Sequence, residues 1–206
     1  MYEAKNFDHL LGMQGMSEQM LKNHFTLYQG YVKNTNTLME KLSALVNEDK
    51  AATPEFAEEK RRMGWEFNGM RLHEYYFENL IKEKNEMDPS SRERKGMDKS
   101  GALAGAMEKD FGSVDVWRKD FQATGAMRGI GWAITYFDPQ GGRLINTWVN
   151  EHDVGHLAGA APILVMDVFE HAFMLDYGLK RADYINAFFN ALDWSAAEKR
   201  FVPFVK

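Results

Sequence analysis

Two long stretches of helical period, followed by short segments rich in β-branched and aromatic residues, constrain this chain more than any other feature. After Ser17, a natural N-cap residue, Met20, His24, Leu27, Tyr28, Tyr31 and Leu38 fall on one stripe, which predicts a helix from about 17 to 46. The acidic, Pro-containing segment Glu48 to Glu55 separates it from a second stripe of Met63, Phe67, Met70, His73, Phe77 and Leu80, predicting an antiparallel second helix. Gly64 and Gly69 weaken that helix on propensity alone, so they are expected to mark close approach of another backbone. The polar stretch Lys84 to Lys99, containing Asp88-Pro-Ser-Ser, reads as a linker.

Beyond the linker, Leu103 to Phe111 and Val114 to Met127 read as helices joined at Gly112-Ser113. The period then changes. Gly131 to Phe137 and Arg143 to Val149 form a predicted hairpin around the turn Asp138-Pro-Gln-Gly-Gly142, and Ile163 to Asp167 supplies a third strand. The tail from Ala182 to Phe201 returns to helix. The expected architecture is α+β: a long antiparallel helical hairpin over 1–88, then an α/β domain over 89–206 with a small three-stranded antiparallel sheet flanked by helices.

Composition removes several function classes. The chain has 206 residues and no cysteine, so disulfides, thiolate nucleophiles and iron–sulfur clusters are excluded, and any metal must be held by His, Asp, Glu or Tyr. A net charge of −5 argues against a nucleic-acid partner. No apolar run approaches the roughly 20 residues of a membrane span. The start, Met1-Tyr-Glu-Ala-Lys-Asn, lacks a basic region followed by an apolar one, so a cytoplasmic protein is expected.

Asp167-Val-Phe-Glu-His171 sets a carboxylate and an imidazole four residues apart just after the apolar run Pro162 to Met166. The two side chains can converge on one metal ion whether they share a helical turn or lie where a strand end runs into a helix. Burying such polar groups among apolar neighbours requires a partner. His24 and His73, each embedded in the apolar stripe of a long helix, complete a set of three His and one carboxylate. Such a set suits iron or manganese, and also admits zinc. His9 has no helical context and reads as surface, while His152 and His156 form an H-x-x-x-H pair in a Gly-containing loop.

These residues carry a resemblance to the iron/manganese superoxide dismutase family. Asp167-Val-Phe-Glu-His-Ala-Phe173 is close to that family's Asp-Val-Trp-Glu-His-Ala-Tyr signature, and Arg181-Ala-Asp-Tyr184 to its Arg-Pro-Asp-Tyr. Asp110 to Ser113, Gly131-Trp132, His73 with Tyr75-Tyr76-Phe77, and Tyr31 to Asn36 follow in the family's order. The resemblance implies one iron or manganese ion per subunit, held by His24, His73, Asp167 and His171, and disproportionation of superoxide with protons to dioxygen and hydrogen peroxide. It further implies Tyr31 as the gateway tyrosine, Trp132 as the active-site tryptophan and Arg181 as the cation that draws superoxide inward. His152 stands in the loop from which a Gln tunes the metal in manganese-type members, and Gly69 stands where iron-type members place theirs. A homodimer is implied, possible tetramers included, with Glu170 reaching across a twofold axis to the partner's ligand His.

The chain departs from the family in places. Aligned without a gap from Tyr31, Asn23 would take the first ligand position, and one residue fewer in the helix restores His24. Phe169 replaces a tryptophan, Met174 stands at the position of an interface tyrosine, and Tyr28 stands near that of its histidine partner. This altered gateway motivates one alternative, a catalytically silent relative that binds metal for structure or sensing. A di-metal carboxylate protein would need paired Glu-x-x-His motifs, which the chain lacks.

Overall fold

The computed structural model describes residues 1–83 and 96–205. The expected domain boundary at 88/89 and most of the expected linker lie outside the described residues.

Two long antiparallel helices open the fold. Helix α1 spans Glu18–Asn47, and its N-cap Ser17 accepts a hydrogen bond from the Met20 amide. Helix α2 spans Pro54–Glu78, starting well before the predicted stripe. Thr53 caps it, accepting from the Phe56 amide, and Pro54 takes the first turn, where its missing N–H costs nothing. Caps of this kind stabilise a helix by ~1 kcal/mol. The predicted α1 stripe needs one change, since Leu27 is 41% exposed while Tyr28 is fully buried.

Helices α3 (Ala102–Phe111) and α4 (Val114–Ala126) follow, joined as expected at Gly112, left-handed at φ +86°, and Ser113, which caps α4. Strands β1 (Gly131–Asp138), β2 (Arg143–Asn150) and β3 (Ala161–Asp167) make an antiparallel sheet of order β2-β1-β3. Central β1 is buried on both faces, and its register sets Trp132 opposite both Val149 and Asp167. Gly131 is obligatory at this end: at φ +127° a Cβ would lie 2.1 Å from the Val149 carbonyl oxygen.

After β3 the chain makes a 3₁₀ turn, Glu170–Ala172, and short helix α5 (Met174–Tyr177), so Asp167 and His171 meet across a strand end rather than within one helix. The predicted C-terminal helix is two, α6 (Arg181–Asn190) and α7 (Trp194–Phe201). They break because the backbone at Ala191 to Asp193 pairs with the end of α2, with Ile81 donating to the Ala191 carbonyl (2.9 Å) and Asp193 to that of Asn79 (2.7 Å). One hydrophobic cluster runs from α1 and α2 through the sheet to α6 and α7. The N-terminal arm, which has no helical or strand period, joins it through Phe7, Leu10, Met13 and Met16. No helix among the described residues is long and apolar enough to cross a membrane.

Candidate metal centre

His24 on α1, His73 on α2, Asp167 at the end of β3 and His171 in the 3₁₀ turn converge, with one donor atom from each lying within 4.8 Å of all the others. Asp167 is aimed by its surroundings. Tyr184 donates to its carbonyl (2.6 Å), Asn79 holds the neighbouring Val165 carbonyl (2.7 Å), and Oδ1 accepts the Phe169 amide (2.8 Å). That leaves Oδ2 facing the histidines: His24 Nε2 and His171 Nε2 stand 3.1 Å away, His73 Nε2 3.7 Å. Asn23, the competing ligand on ungapped register, is exposed.

His73 states the chemistry most clearly. Its Nδ1–H donates to the Gly69 carbonyl (2.5 Å), so the neutral ring carries a lone pair on Nε2, and that fully buried atom has no hydrogen-bond partner. A bare imidazole nitrogen in a dry interior is costly unless a ligand takes it up. Burial also drives the His73 and His24 pKa values down, keeping both rings unprotonated as metal binding requires. Burial alone would raise the Asp167 pKa, but the charge and hydrogen bonds of His171 and His24 outweigh it and hold the carboxyl well below its ordinary range. Two donors on opposite sides of an ion stand about 4.2 Å apart at typical bond lengths near 2.1 Å. The three nitrogens and one oxygen therefore fit a single iron or manganese ion after a contraction of a few tenths of an ångström.

Around this set lies an aromatic shell. Trp132 stands edge-on to His73 at 5.1 Å, Tyr31 stacks on His73 at 5.3 Å, and Phe169 stacks on both His171 (5.2 Å) and His152 (4.7 Å). Phe169 thus supplies the aromatic wall without an N–H donor. The Trp132 indole donates to His152 Nδ1 (3.1 Å), and His152 Nε2 lies 2.8 Å from the Tyr31 hydroxyl. Because an indole only donates, neutral His152 must carry its proton on Nε2 and donate it to the Tyr31 oxygen. Burial pushes His152 down to about 4, and burial with the Asp167 and Glu66 charges pushes Tyr31 up to about 12, so both are neutral at pH 7. Trp65, a residue with no motif around it in the sequence, stands edge-on to His152 at 4.9 Å.

Other expected residues lie elsewhere than foreseen. Tyr28 does not reach a surface: its hydroxyl accepts from the Lys5 amide (2.9 Å) and donates to buried Glu74 (3.1 Å) within the hairpin. Leu27 takes the outward position instead. It lines an open groove of 640 Å³ with Asn23, Thr26, Glu170, His171, Met174 and Leu175, and this groove reaches the 24% exposed edge of His171. The Arg181 guanidinium donates to the Met127 and Gly129 carbonyls (both 2.7 Å) and lies over the Phe173 ring, tying down the approach to β1. The close approach at Gly69 is real but comes from the Tyr31 ring, whereas Gly64 has only an ordinary contact with Asp153. His152 and His156 do not form a site together, since His156 Nε2 donates to the His152 carbonyl.

Comparison with known proteins agrees with this geometry. Residues 99–200 match the model of the C-terminal domain of iron/manganese superoxide dismutases. The chain is 36% identical to an iron superoxide dismutase of Cupriavidus metallidurans over 94% of this chain and 92% of that one. It is 34% identical to an iron superoxide dismutase of Saccharolobus solfataricus (92% and 87% covered) and 36% to a manganese superoxide dismutase of Haloarcula marismortui (90% and 85%). The chain belongs to the iron/manganese superoxide dismutase family.

Proposed function

We propose that this chain disproportionates superoxide: one superoxide gives up an electron and leaves as dioxygen, while a second takes up one electron and two protons and leaves as hydrogen peroxide. The observation that carries this reading is the buried, unpartnered His73 Nε2 facing Asp167 beside His24 and His171. Iron or manganese held by His24, His73, Asp167 and His171 would supply the one-electron exchange between +3 and +2 on which both halves depend.

The remaining residues act on access, protons and potential. Trp132, Phe169 and Tyr31 wall the centre and limit it to small species. The Tyr31 oxygen already accepts from His152, so its own proton is free to turn toward an incoming anion or water and be replaced from solvent. His152 is the tuning residue and acts through Tyr31: its one N–H goes to the Tyr31 oxygen, which leaves the phenol proton aimed at what binds beside the metal, and a donor held there stabilises one protonation state and so shifts the potential. Arg181 contributes positive potential despite its carbonyl partners, and focusing by a low-dielectric cleft raises on-rates even on a chain of charge −5.

The groove beside His171 is best filled by a second copy, giving a homodimer in which Glu170 meets the partner's ligand His and Leu27, Met174 and Leu175 supply apolar contact. We retain the division into a helical part, 1–88, and an α+β part, 89–206, with the metal between them, and a cytoplasmic location. The altered gateway, with Phe169, Met174 and Tyr28, motivates a second reading, a silent metal-binding relative. Elemental analysis and a superoxide-consumption assay on one sample, purified without added metal and then reconstituted with each ion, separate the two. Turnover with iron, manganese or both supports the enzyme, whereas a full complement of either ion without turnover supports the silent relative.

A further inference from the structure

The loop between β2 and β3 buries His152 completely although it is a surface turn, and it does so in a constrained way. Glu151 is left-handed at φ +56°, which is uncommon for a non-glycine residue, and Asn150 and Val154 close the turn through paired backbone hydrogen bonds (2.9 and 3.4 Å). One further strut is made of side chains. His156 Nε2 lies 2.7 Å from the His152 carbonyl oxygen, and His156 Nδ1 lies 2.6 Å from the hydroxyl of Tyr136, a residue of β1 that is only 2% exposed. A carbonyl only accepts, so His156 carries its proton on Nε2 and receives the Tyr136 proton at Nδ1. The hydrogen bonds therefore run in one direction, from Tyr136 through His156 to the His152 backbone.

Trp132 and Tyr136 are four residues apart on β1 and point to the same face. Strand β1 thus grips His152 twice, holding its ring through Trp132 and its backbone through Tyr136 and His156. We infer that His156, braced by Tyr136, is a positioning residue that fixes the His152 imidazole between Trp132 and Tyr31. This rests on the reading of His152 as the group that tunes the metal. Without the strut, the His152 carbonyl loses its partner and the turn keeps only its two backbone bonds, so the ring is free to drift from both neighbours.

The test uses the full chain, first metal-free and then loaded with iron. In metal-free protein the Trp132 indole N–H reports on its bond to His152 through its proton resonance and solvent exchange. His156→Leu should shift that resonance and speed exchange about tenfold, the loss expected for one buried hydrogen bond. His156→Gln, whose amide can still donate to the His152 carbonyl, should restore both toward wild type. Tyr136→Phe should act in the same direction as His156→Leu with a smaller effect, and it carries the test if His156→Leu does not fold. The iron midpoint potential should move with the same ranking. An indole signal unchanged in the His156→Leu and Tyr136→Phe proteins overturns the inference. An altered indole signal with an unmoved potential leaves the inference standing and overturns the reading of His152 as the tuning residue.

Discussion

The ring of Tyr31 fills the space in which a side chain at residue 69 would begin: a Cβ on Gly69 would lie 2.6 Å from Tyr31 Cδ1 and within 2.9 Å of two further ring atoms. The same ring stacks on His73 and holds His152, so it has little room to retreat. Gly69→Ala should therefore destabilise the protein by ~1–3 kcal/mol through overpacking, despite the gain of ~1 kcal/mol in helix propensity. Urea unfolding of the two proteins checks the sign. Equal or greater stability for the alanine variant would show that Tyr31 moves aside freely.

The position of His24 bears on the register of α1. An uninterrupted α-helix sets Tyr31 seven residues after His24, two turns on and on the same face. His24→Ala should abolish stoichiometric binding of iron or manganese, while Asn23→Ala, at an exposed position, should leave it intact. Metal content by elemental analysis distinguishes them, and the reverse pattern would place the ligand at Asn23.

Protonation of His152 links stability to pH. Its folded pKa of about 4 lies below the ordinary histidine value, so between the two the unfolded chain binds more protons than the folded one. Its contribution is fully present above about pH 6.5 and is lost as pH falls toward 4. For metal-free protein this residue alone should cost ~2 kcal/mol between pH 7 and pH 5. His24 and His73, also shifted down by burial, add to the loss in the same direction. Denaturation of metal-free wild type and His152→Gln at both pH values should show a shallower decline in the variant. Parallel declines would mean that His152 titrates normally.

The groove beside His171 predicts an assembly. Glu170 is exposed on its rim, and its carboxylate makes no ion pair among the described residues. Glu170→Ala and Leu27→Glu should each shift sedimentation from dimer toward monomer, with the charged leucine replacement the stronger. A wild-type chain that sediments as a monomer at micromolar concentration would remove the groove from consideration as an interface.

Period made the helix pair and the hairpin legible, because 3.6-residue stripes and β-rich runs survive any tertiary context that buries one face. The four converging donors were legible because polar groups placed on apolar stripes demand partners. Elements held by tertiary contacts alone were not. The arm that buries Phe7, Leu10, Met13 and Met16 has no period, and the break between α6 and α7 depends on backbone pairing with α2, more than a hundred residues away. Tyr28 and Leu27 exchanged expected roles because adjacent helical residues differ by about 100° around the axis, enough to separate hairpin core from groove. The H-x-x-x-H spacing of His152 and His156 was visible, but its use was not: a ring bonded to a backbone carbonyl has the same spacing as a ligand pair.

We propose that one ion, held by His24, His73, Asp167 and His171, turns over superoxide. The most direct test of this proposal is superoxide decay followed by pulse radiolysis as metal-free protein is titrated with iron, and separately with manganese. With at least one of the two ions, the decay rate should climb in proportion to the metal added and stop climbing at one ion per chain. A break at another stoichiometry, or no acceleration with either ion once one per chain is bound, would contradict it.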